Sequence, residues 1–310
     1  MTIVKRFFFL LIFLFIACET RFETVNDSGV ETEFKYNDYS IYELPFNDKP
    51  YAWWIPAKLN DYATDSHGII VFELNGNHYY HPVQIAQKMI HFIASYYRTD
   101  NDNYIVETER FAEKLVDNAL KYNDALYFPY EFDWNLGGFG IKMKAPWYSG
   151  MAQGQILSAM ARLYEVTQKS RYLEICSQIF KSFTLFKGLS DPWIAYVDND
   201  HYYWIEEYPE LDPNHVLNGY IFALFGLYDY YLIDNREDVK TYLQAGLTTM
   251  ADHLSLYRQT GGYSRYSLKY KIAYPDYHLV HTDQIKYLYR ITKDPHFNNL
   301  YLDYYMDYHE

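Results

Sequence analysis

The chain has 310 residues, and its 49% hydrophobic content is sufficient for a packed globular core. A net charge of −13 argues against nucleic acid as a partner, because neutralising phosphates requires clustered Lys and Arg. The two cysteines, Cys18 and Cys176, are too few for a disulfide framework.

Tyrosine is unusually frequent, with 37 residues. Its flat ring can stack on a sugar, and its hydroxyl can donate, accept or transfer a proton. A carbohydrate site and a simple composition bias explain this abundance equally well until the positions of the tyrosines are considered.

The first 18 residues have the pattern of an export signal. Lys5 and Arg6 precede FFFLLIFLFIA, an apolar run shorter than the roughly 20 residues of a membrane-spanning helix. The FIAC segment at its end resembles a bacterial lipoprotein cleavage box and predicts lipidation of Cys18. We therefore expect residues 1–18 to be a signal peptide and the protein to be exported, either lipid-anchored in the bacterial cell envelope or secreted.

Between this signal and the helical part of the chain lie two short regions. Residues 19–35 are rich in Glu, Thr, Asp and Ser, a composition that predicts a solvated tether. Residues 36–76 alternate short β-prone runs such as GIIVFEL with Asn, Asp and Gly turns, which predicts irregular structure with a few short strands. Helical periodicity begins near His81, and residues 77–310 are predicted to form the main domain.

The helical region repeats a unit of helix, polar turn and second helix. Its equivalent tyrosines are 67, 64 and 61 residues apart, farther than in common solenoids; they are Tyr97, Tyr164, Tyr228 and Tyr289. In the third unit the first helix, VLNGYIFALFGLYDYYL, is apolar nearly all round, whereas the second is amphipathic. This difference predicts buried inner helices and solvent-facing outer helices. The predicted fold is mainly α, an incomplete (α/α) toroid of about four helical hairpins with short β-hairpin excursions at one rim.

The four inner helices are expected to begin at the same rim, so the segments that lead into them should converge. These segments are HPVQIAQ (81–87), PWYSGMAQGQ (146–155), EEYPELDPNHVLNG (206–219) and DYHLVHTDQI (276–285). Converging polar and aromatic groups are what a ligand site requires. The side chains that we predict to bind a ligand there are His81, Gln84, Gln87, Trp147, Tyr148, Gln153, Gln155, Asn218, His278 and His281.

Two excursions carry positive charge in an otherwise acidic chain. Lys142 and Lys144 alternate in IKMK, a spacing that puts both on one face of a strand. Arg265, Lys269 and Lys271 lie before the fourth inner helix. Lysine can also simply keep a hairpin edge soluble, but we predict a patch that binds an anionic glycan.

The four segments, together with FGLYD, resemble in order and spacing the C-terminal domain of the D-glucuronyl C5-epimerases, from about Asn77 to the end of the chain. The resemblance implies epimerisation at C5 of D-glucuronic acid residues within a polysaccharide. A proton leaves C5 and another returns from the opposite face, which gives L-iduronic acid. The implied partner is an acidic polysaccharide containing glucuronic acid, such as a heparosan-like glycan, and no cofactor is implied. No HExxH spacing indicates a metal site either.

The resemblance also implies catalytic residues. The family uses the Glu and Tyr of EEYP, a loop Tyr and the Tyr of DYH, which are here Glu207, Tyr208, Tyr266 and Tyr277. We predict that Glu207 and Tyr277 transfer protons on opposite faces of the sugar, while Tyr208 and Tyr266 hydrogen-bond its carboxylate. His278 and His281 are candidates to tune Tyr277.

The loop before the fourth inner helix leaves two alternatives open. Tyr263 is an alternative to Tyr266 as the family's loop tyrosine. The family has Arg where this chain has Lys269, and Lys lacks the planar fork that grips a carboxylate with two hydrogen bonds. Arg265 is the candidate to replace that guanidinium.

Other functions remain consistent with the sequence. A polysaccharide lyase begins with the same proton abstraction, and a glycan-binding envelope lipoprotein would need no turnover. A glycoside hydrolase is disfavoured because it needs two carboxylates flanking the bond. Glu207 also has a purely structural alternative, in which it accepts the N-terminal amides of the following helix.

Overall fold

The computed structural model describes residues 20–27, 30–59 and 62–308, so the predicted signal peptide and Cys18 lie outside the described residues. The described part contains eight α-helices in four consecutive hairpins, as the repeat predicts. The first helices of the pairs are α1 (Pro82–Thr99), α3 (Gly150–Thr167), α5 (Leu217–Asp234) and α7 (Pro275–Thr292). The second helices are α2 (Asn103–Asp117), α4 (Ser170–Ser182), α6 (Glu237–Tyr257) and α8 (Pro295–Asp307).

The first helices form the inner layer, in which α1 packs on α3, α3 on α5 and α5 on α7. The α3–α5 contact is the closest, because two glycines let the backbones meet. A Cβ atom at Gly226 would lie 2.2 Å from the carbonyl oxygen of Gly154. Each second helix packs against its own first helix on the outside. The apolar α5 is buried along most of its length, which confirms the inner and outer assignment.

The turn inside each hairpin has the same backbone geometry. Every inner helix ends at a residue in the left-handed conformation, with φ between 51° and 57°. These residues are Asp100, Gln168, Asn235 and Lys293. A left-handed C-terminal residue stops the helix and satisfies a carbonyl of its last turn. The repeat in the sequence therefore corresponds to a repeated turn in the structure.

In the part of the chain that the structure describes, ten short strands pair into five antiparallel two-stranded hairpins. Four of these hairpins precede inner helices and lie at the rim where those helices begin, as predicted. The strands of the described residues are β1 (Arg21–Asp27), β2 (Val30–Tyr36), β3 (Phe72–Leu74), β4 (Asn77–Tyr79), β5 (Leu120–Tyr122), β6 (Ala125–Tyr127), β7 (Trp134–Leu136), β8 (Ile141–Met143), β9 (Ala195–Val197) and β10 (Tyr203–Ile205).

The predicted solvated tether over residues 19–35 is wrong for the two strands β1 and β2, which pair in a hairpin. β2 packs against α6, and Phe34 is completely buried. Its ring centroid lies 5.1 Å from that of Tyr242 and 5.7 Å from that of Tyr203. The missed signal is the alternation of apolar and charged residues in VETEFKY, which is the period of a half-buried strand.

The following segment is largely irregular, as predicted, and covers the opposite rim of the toroid. The Leu44 backbone N–H donates to the Tyr228 hydroxyl, which itself donates to the Tyr42 carbonyl. Arg162, paired with Asp229 in the buried inner layer, donates to the Pro50 carbonyl. These contacts hold the segment on the carboxyl ends of α3 and α5.

None of the helices in the described ranges is long and apolar enough to cross a membrane.

Candidate active site

At the rim where the inner helices begin, two loops and the first turn of α7 bring tyrosine and carboxylate side chains together. Glu207 and Tyr208 follow β10, Tyr266 lies between α6 and α7, and Tyr277 lies in the first turn of α7. The ring centroids of Tyr266 and Tyr277 are 4.5 Å apart. Glu207 interacts with the hydroxyls of both Tyr208 and Tyr266. The four residues predicted to be catalytic are therefore neighbours, although up to 70 residues separate them in the sequence.

The Tyr266 backbone is attached to the start of α5. Its carbonyl accepts the Leu217 N–H at 3.0 Å, and its own N–H donates to the Ile272 carbonyl at 2.6 Å. An antiparallel bridge joins Val216 and Ser267 beside it. Tyr266, and not the alternative Tyr263, is therefore directed at the site; the Tyr263 ring packs on Tyr308 instead, at 4.6 Å.

Glu206 fixes the turn that carries Glu207. Its side chain is fully buried, and Oε2 accepts hydrogen bonds from the backbone N–H groups of Asn214 and His215, at 3.2 and 3.1 Å. Its backbone carbonyl accepts the N–H of Gly150, the first residue of α3, at 2.8 Å. The two adjacent glutamates thus differ, because Glu206 binds backbone amides while Glu207 faces the tyrosines.

Glu207 lies directly on the first turn of α5, in space that Gly219 leaves free. A Cβ atom at Gly219 would lie 2.2 Å from Glu207 Oε2 and 2.5 Å from Glu207 Cβ. The positive end of the helix dipole favours an ionised carboxylate at this position. Glu207 can therefore occupy this position only because residue 219 is glycine.

Burial raises the pKa of Glu207 from 4.5 to about 7. Hydrogen bonds from Tyr208 and Tyr266 lower the pKa, and the charge of Glu206 raises it. Near neutral pH, Glu207 is thus a stronger base than an exposed glutamate and is still partly ionised, a suitable state for a general base.

The three tyrosines keep their protons. Burial, and after it the charge of Glu207, raises the pKa of Tyr208 and Tyr266 well above 10 and also raises the pKa of Tyr277. The hydroxyl of Tyr277 interacts with that of Tyr266, and the hydroxyl of Tyr266 interacts with that of Tyr208, while Oε2 of Glu207 is buried without a hydrogen-bond partner in the described part of the chain. A chain of hydroxyl groups therefore connects Tyr277 with Glu207, and each is a proton donor at neutral pH.

Glu207 and Tyr208 open into a cavity of about 150 Å³, which is also lined by the predicted residues His81 and Trp147. Trp147 stacks on Tyr130, with ring centroids 3.9 Å apart, and its indole N–H donates to the Phe132 carbonyl. Burial lowers the pKa of His81 to about 4, so it is a neutral imidazole whose Nδ1 accepts the Gln84 N–H. The cavity therefore has an aromatic wall opposite a carboxylate.

Tyr266 and Tyr277 do not line this cavity and are covered by the β7–β8 hairpin. The Phe139 ring at its tip lies 4.6 Å from Tyr266 and 6.0 Å from Tyr277, measured between centroids. The tip sequence is Gly-Gly-Phe-Gly, so Phe139 is the one side chain of these four residues that is large enough to cover the site. A sugar that contacts both Glu207 and Tyr277 must displace Phe139 or pass beside it.

Three members of the predicted basic patch are in contact with other groups of the protein. Lys144 pairs with Asp133, and Arg265 donates to the Leu256 carbonyl. Lys269 Nζ lies 3.2 Å from the Glu210 carboxylate and 3.3 Å from that of Asp212. Lys142 is exposed on β8. Among the described residues that line the 150 Å³ cavity, none is Lys or Arg.

The orientation of Arg265 has a simple cause. Neighbouring residues of an extended segment point to opposite sides, so the inward direction of Tyr266 turns Arg265 outward. Arg265 therefore does not replace the missing guanidinium of the family. Lys269, which stands where the family has Arg, is already paired with two carboxylates.

The predicted ligand role of His278 is also wrong. His278 is fully buried, Nδ1 accepts the Ser264 N–H at 2.9 Å, and Nε2 lies 3.0 Å from the Tyr304 carbonyl. It therefore ties α7 to α8. His281 is buried too, with Nδ1 2.7 Å from the Ser264 hydroxyl, and burial lowers its pKa to about 3. Its ring centroid lies 6.3 Å from that of Tyr277, with 28° between the ring planes, so His281 is a neutral neighbour of that residue.

The predicted amides do not line the cavity. Gln84 and Gln87 are half-exposed on α1, and Gln155 is buried beside Tyr51, farther along the inner layer. Asn218 is one layer behind the wall, with its amide nitrogen 4.0 Å from the sulfur of the cavity residue Met151.

For Gln153 the ligand prediction is wrong, because every polar atom of its amide is used within the fold. Its Nε2 donates to the Leu126 carbonyl at 2.7 Å and to the Ser182 hydroxyl at 2.8 Å. Its Oε1 accepts the Phe128 N–H at 3.1 Å. Gln153 thereby joins β6 to α3 and α4, where backbone groups beyond the strand need partners.

Replacing Gln153 by Leu is expected to lower the free energy of unfolding by about 2–3 kcal/mol, because the Leu126 and Phe128 backbone groups lose their partners. Urea unfolding measures this. Gln87→Leu, at a half-exposed position of α1, is the matched control and should change the free energy by less than about 0.5 kcal/mol. Equal effects of the two substitutions would contradict the structural role of Gln153.

Sequence reasoning missed several residues that shape the site. Gly219 makes room for Glu207, and Tyr130 supplies the face on which Trp147 stacks. Glu210 holds both Lys269 and the Tyr270 hydroxyl. Glu210 and Gly219 were visible in EEYPELDPNHVLNG, but their roles depend on which loop packs against them.

Comparison with known proteins identifies the relatives of this chain. The family model described as "D-glucuronyl C5-epimerase C-terminus" matches residues 122–306. A D-glucuronyl C5-epimerase of Caenorhabditis elegans is 30% identical over 167 residues, which are 48% of this chain and 26% of that protein. An uncharacterised protein of Methanocaldococcus jannaschii is 28% identical over 167 residues, 53% of this chain and 52% of that protein. The chain thus spans about a quarter to a half of the curated relatives that it matches.

Solved structures with low sequence identity confirm the toroid fold. Cellobiose 2-epimerase of Bacillus thermoamylovorans is similar with a TM-score of 0.52 and 12% identity, over 73% of this chain and 60% of that chain. A D-mannose isomerase is similar with a TM-score of 0.54 and 12% identity, over 80% of this chain and 66% of that chain. At such identity the similarity concerns the fold alone.

Proposed function

Since the chain belongs to the D-glucuronyl C5-epimerase C-terminus family, we propose that it epimerises D-glucuronic acid residues to L-iduronic acid at C5 within a polysaccharide. The observation that carries the proposal is the buried Glu207 carboxylate with Tyr208, Tyr266 and Tyr277 beside it: the hydroxyls of Tyr208 and Tyr266 interact with Glu207, and the ring of Tyr277 lies 4.5 Å from that of Tyr266. The substrate in this proposal is a polyanion, and heparosan-like material is the first candidate.

Glu207 acts as the base in this mechanism. The C5 proton is a weak acid because its removal adds negative charge next to the uronate carboxylate. A base with a pKa of about 7 is better matched to this step than an exposed glutamate, and it is still ionised at neutral to mildly alkaline pH.

Tyr277 acts as the acid on the opposite face. Its raised pKa keeps the hydroxyl protonated, so it can deliver a proton to C5 directly. As a base it would need a lowered pKa, and burial and the charge of Glu207 act in the other direction. In the direction from glucuronate to iduronate, the reaction therefore starts with Glu207 ionised and Tyr277 protonated, which are their states before the substrate binds.

Tyr208 and Tyr266 stabilise the enediolate that forms between the two proton transfers. Both are buried hydroxyl donors next to Glu207. Preorganised donors in a site with little water stabilise developing negative charge without reorganising during the reaction. These two hydroxyl groups take the charge-stabilising role of a cation, since no Lys or Arg is among the described residues that line the 150 Å³ cavity.

The direct test is proton NMR of the purified protein incubated in deuterium oxide with a panel of glucuronate polymers that includes heparosan. Deuterium at C5, iduronate signals and an unchanged chain length are the expected result. An unsaturated uronate chromophore would instead identify a polysaccharide lyase. Tight retention of a polymer without any exchange would identify a glycan-binding protein.

Export and lipidation at Cys18 remain a separate proposal, supported by the apolar run and FIAC alone. Mass spectrometry of the mature protein from a bacterial membrane fraction tests it. A diacylated N-terminal cysteine is expected from the wild type, and none from Cys18→Ser. A mature N-terminus at another residue would contradict it.

Gly219→Ala tests whether the position of Glu207 matters. The added Cβ displaces the carboxylate, and misplacing a reacting group by about 1 Å costs about 10²-fold in rate. We expect a loss of this size in C5 exchange, measured by NMR, in a protein that still folds. Gly262→Ala is the matched control, because its Cβ would have no neighbour closer than 3.8 Å and should leave exchange unchanged.

A further inference from the structure

The loop that joins β10 to α5 is held at its two ends by a pair of side chains, Glu206 and His215. Nδ1 of the His215 imidazole lies 3.1 Å from Oε1 of the fully buried Glu206 carboxylate. The backbone N–H of His215 donates to the other carboxylate oxygen, Oε2. Among the described residues, neither Nδ1 nor Oε1 has a hydrogen-bond partner elsewhere. Because a buried carboxylate oxygen without a polar neighbour is costly, the imidazole is the group that compensates Oε1.

Three elements hold the His215 residue in place. Its Nε2 lies 3.2 Å from the Tyr196 hydroxyl of β9, and its ring centroid lies 4.0 Å from that of Trp204 in β10. The Tyr257 hydroxyl of α6 donates to its backbone carbonyl at 2.9 Å. Burial, and after it the charge of Glu206, raises the pKa of Tyr196, so this hydroxyl keeps its proton and can donate to Nε2. A neutral imidazole that accepts at Nε2 carries its proton on Nδ1, which faces Glu206.

The backbone of His215 has a conformation that its own chain geometry does not favour. Its φ is 53°, in the left-handed region. Glycine adopts this region without steric cost, whereas a residue with a Cβ atom is disfavoured there. Such a conformation persists where the surrounding contacts determine it. The contacts of the imidazole with Glu206, Tyr196 and Trp204 therefore act on a backbone that needs them.

This pair of side chains also sets where Glu207 lies. The Glu206 backbone is fixed to the core, since its N–H donates to the Ile194 carbonyl at 2.8 Å. Its side chain holds His215, two residues before α5, and Glu207 lies on the first turn of that helix. The fit there is tight, because a Cβ atom at Gly219 would lie 2.2 Å from Glu207 Oε2. A shift of the start of α5 relative to Glu206 would therefore move Glu207.

We propose that His215 is a positioning residue for Glu207, which acts by holding the Glu206 carboxylate and thereby the start of α5 beneath the base. The proposal rests on the proposed function, because Glu207 must be the base for C5 exchange. His215 is not among the described residues that line the 150 Å³ cavity, so its loss should slow the reaction and not weaken binding. Misplacing a reacting group by about 1 Å costs about 10²-fold in rate.

Two substitutions separate the two polar contacts of the imidazole. His215→Asn places an amide nitrogen at the position of Nδ1, where it can still donate to Glu206, and gives up Tyr196. His215→Gln reaches the position of Nε2 instead and gives up Glu206. For C5 exchange on a glucuronate polymer, His215→Asn should keep kcat within about threefold of the wild type, whereas His215→Gln should lower kcat about 10²-fold with KM within about threefold. A role in packing against Tyr196 would give the opposite order.

A third substitution separates the side chain from the backbone. His215→Gly fits the left-handed conformation but offers no donor, so it should lose as much kcat as His215→Gln. His201→Gln is the matched control, because His201 is also left-handed, with φ 64°, and is exposed away from Glu206; its kcat should be unchanged. Wild-type kcat in His215→Gly, or equal losses in His215→Asn and His215→Gln, would overturn the positioning role and leave the proposed function intact.

Urea unfolding separates the failure of this proposal from that of the proposed function. If the wild type exchanges no C5 proton on any polymer, the proposed function fails, and a double-mutant cycle with Glu206→Gln and His215→Gln then decides the contact. A midpoint shift in the double variant that is smaller than the sum of the two single shifts supports it. Additive shifts overturn it.

Discussion

Glu207→Gln is expected to slow epimerisation strongly and, at pH 8, to make the protein more stable. Glutamine has nearly the same shape and keeps a hydrogen-bond acceptor for Tyr208 and Tyr266, but it cannot take a proton. Removing a general base costs 10²–10⁴-fold in rate, and we expect about 10³-fold here. Few substitutions of a buried residue raise stability, so the two effects together are distinctive.

The gain in stability follows from the pKa of Glu207. The pKa is raised from 4.5 to about 7 on folding, so the folded state binds this proton more tightly than the unfolded state does. The contribution of Glu207 to stability is fully present below pH 4.5 and is lost as the pH rises to about 7. Above that pH, burying the ionised carboxylate costs about 3 kcal/mol. Glutamine does not incur this cost.

Urea unfolding at pH 5 and pH 8, together with C5 exchange, measures both effects. The stability gain of Glu207→Gln should be large at pH 8 and small at pH 5. Glu206→Gln is the matched control: it weakens hydrogen bonds to the Asn214 and His215 amides and should destabilise the protein at both values. A Glu207→Gln protein that is less stable than the wild type at pH 8 would contradict the burial cost.

Tyr277→Phe is expected to reduce iduronate formation by about 10²–10⁴-fold, because the phenol that reprotonates C5 is lost. The ring remains, so contacts with Tyr266 and Phe139 are kept and folding should be unchanged. In the wild type, activity should rise with pH through about 7 as Glu207 ionises. The raised pKa of Tyr277 keeps its hydroxyl protonated throughout that range.

Tyr274→Phe is the matched control for this substitution. Tyr274 immediately precedes α7, is exposed, and its ring packs on Phe139 at 5.1 Å, but it is not part of the hydroxyl chain to Glu207. Iduronate formation by NMR should be unchanged in Tyr274→Phe. Comparable losses in the two variants would show that any tyrosine hydroxyl at this edge matters and would contradict a proton transfer by Tyr277.

The toroid was predictable because its determinants are local and repeated. The apolar period of α5, the polar turns after Tyr97, Tyr164, Tyr228 and Tyr289, and the spacing of these turns are properties of single segments. Convergence of Glu207, Tyr208, Tyr266 and Tyr277 followed from the resemblance and from four inner helices that begin at one rim.

The errors concern side chains whose partners are distant in sequence. Gln153 and His278 are polar residues at the right rim, but partners within the fold use all their hydrogen-bonding atoms. For Gln153 these partners are Leu126, Phe128 and Ser182, and for His278 they are Ser264 and Tyr304. Lys269 was predicted from its charge, whereas its role depends on Glu210 and Asp212 in another loop. The strands β1 and β2 were obscured because polar composition was weighed above the alternation that buries Phe34.

The most direct test of the two-face mechanism uses the Tyr277→Phe variant with a glucuronate polymer in deuterium oxide. If Glu207 is the base on one face and Tyr277 the acid on the other, Glu207 alone should remove the C5 proton and return a deuteron to the same face. NMR should then show deuterium in glucuronate without iduronate. Iduronate formation at the wild-type rate, or exchange into glucuronate that persists when Glu207→Gln is added, would contradict this assignment.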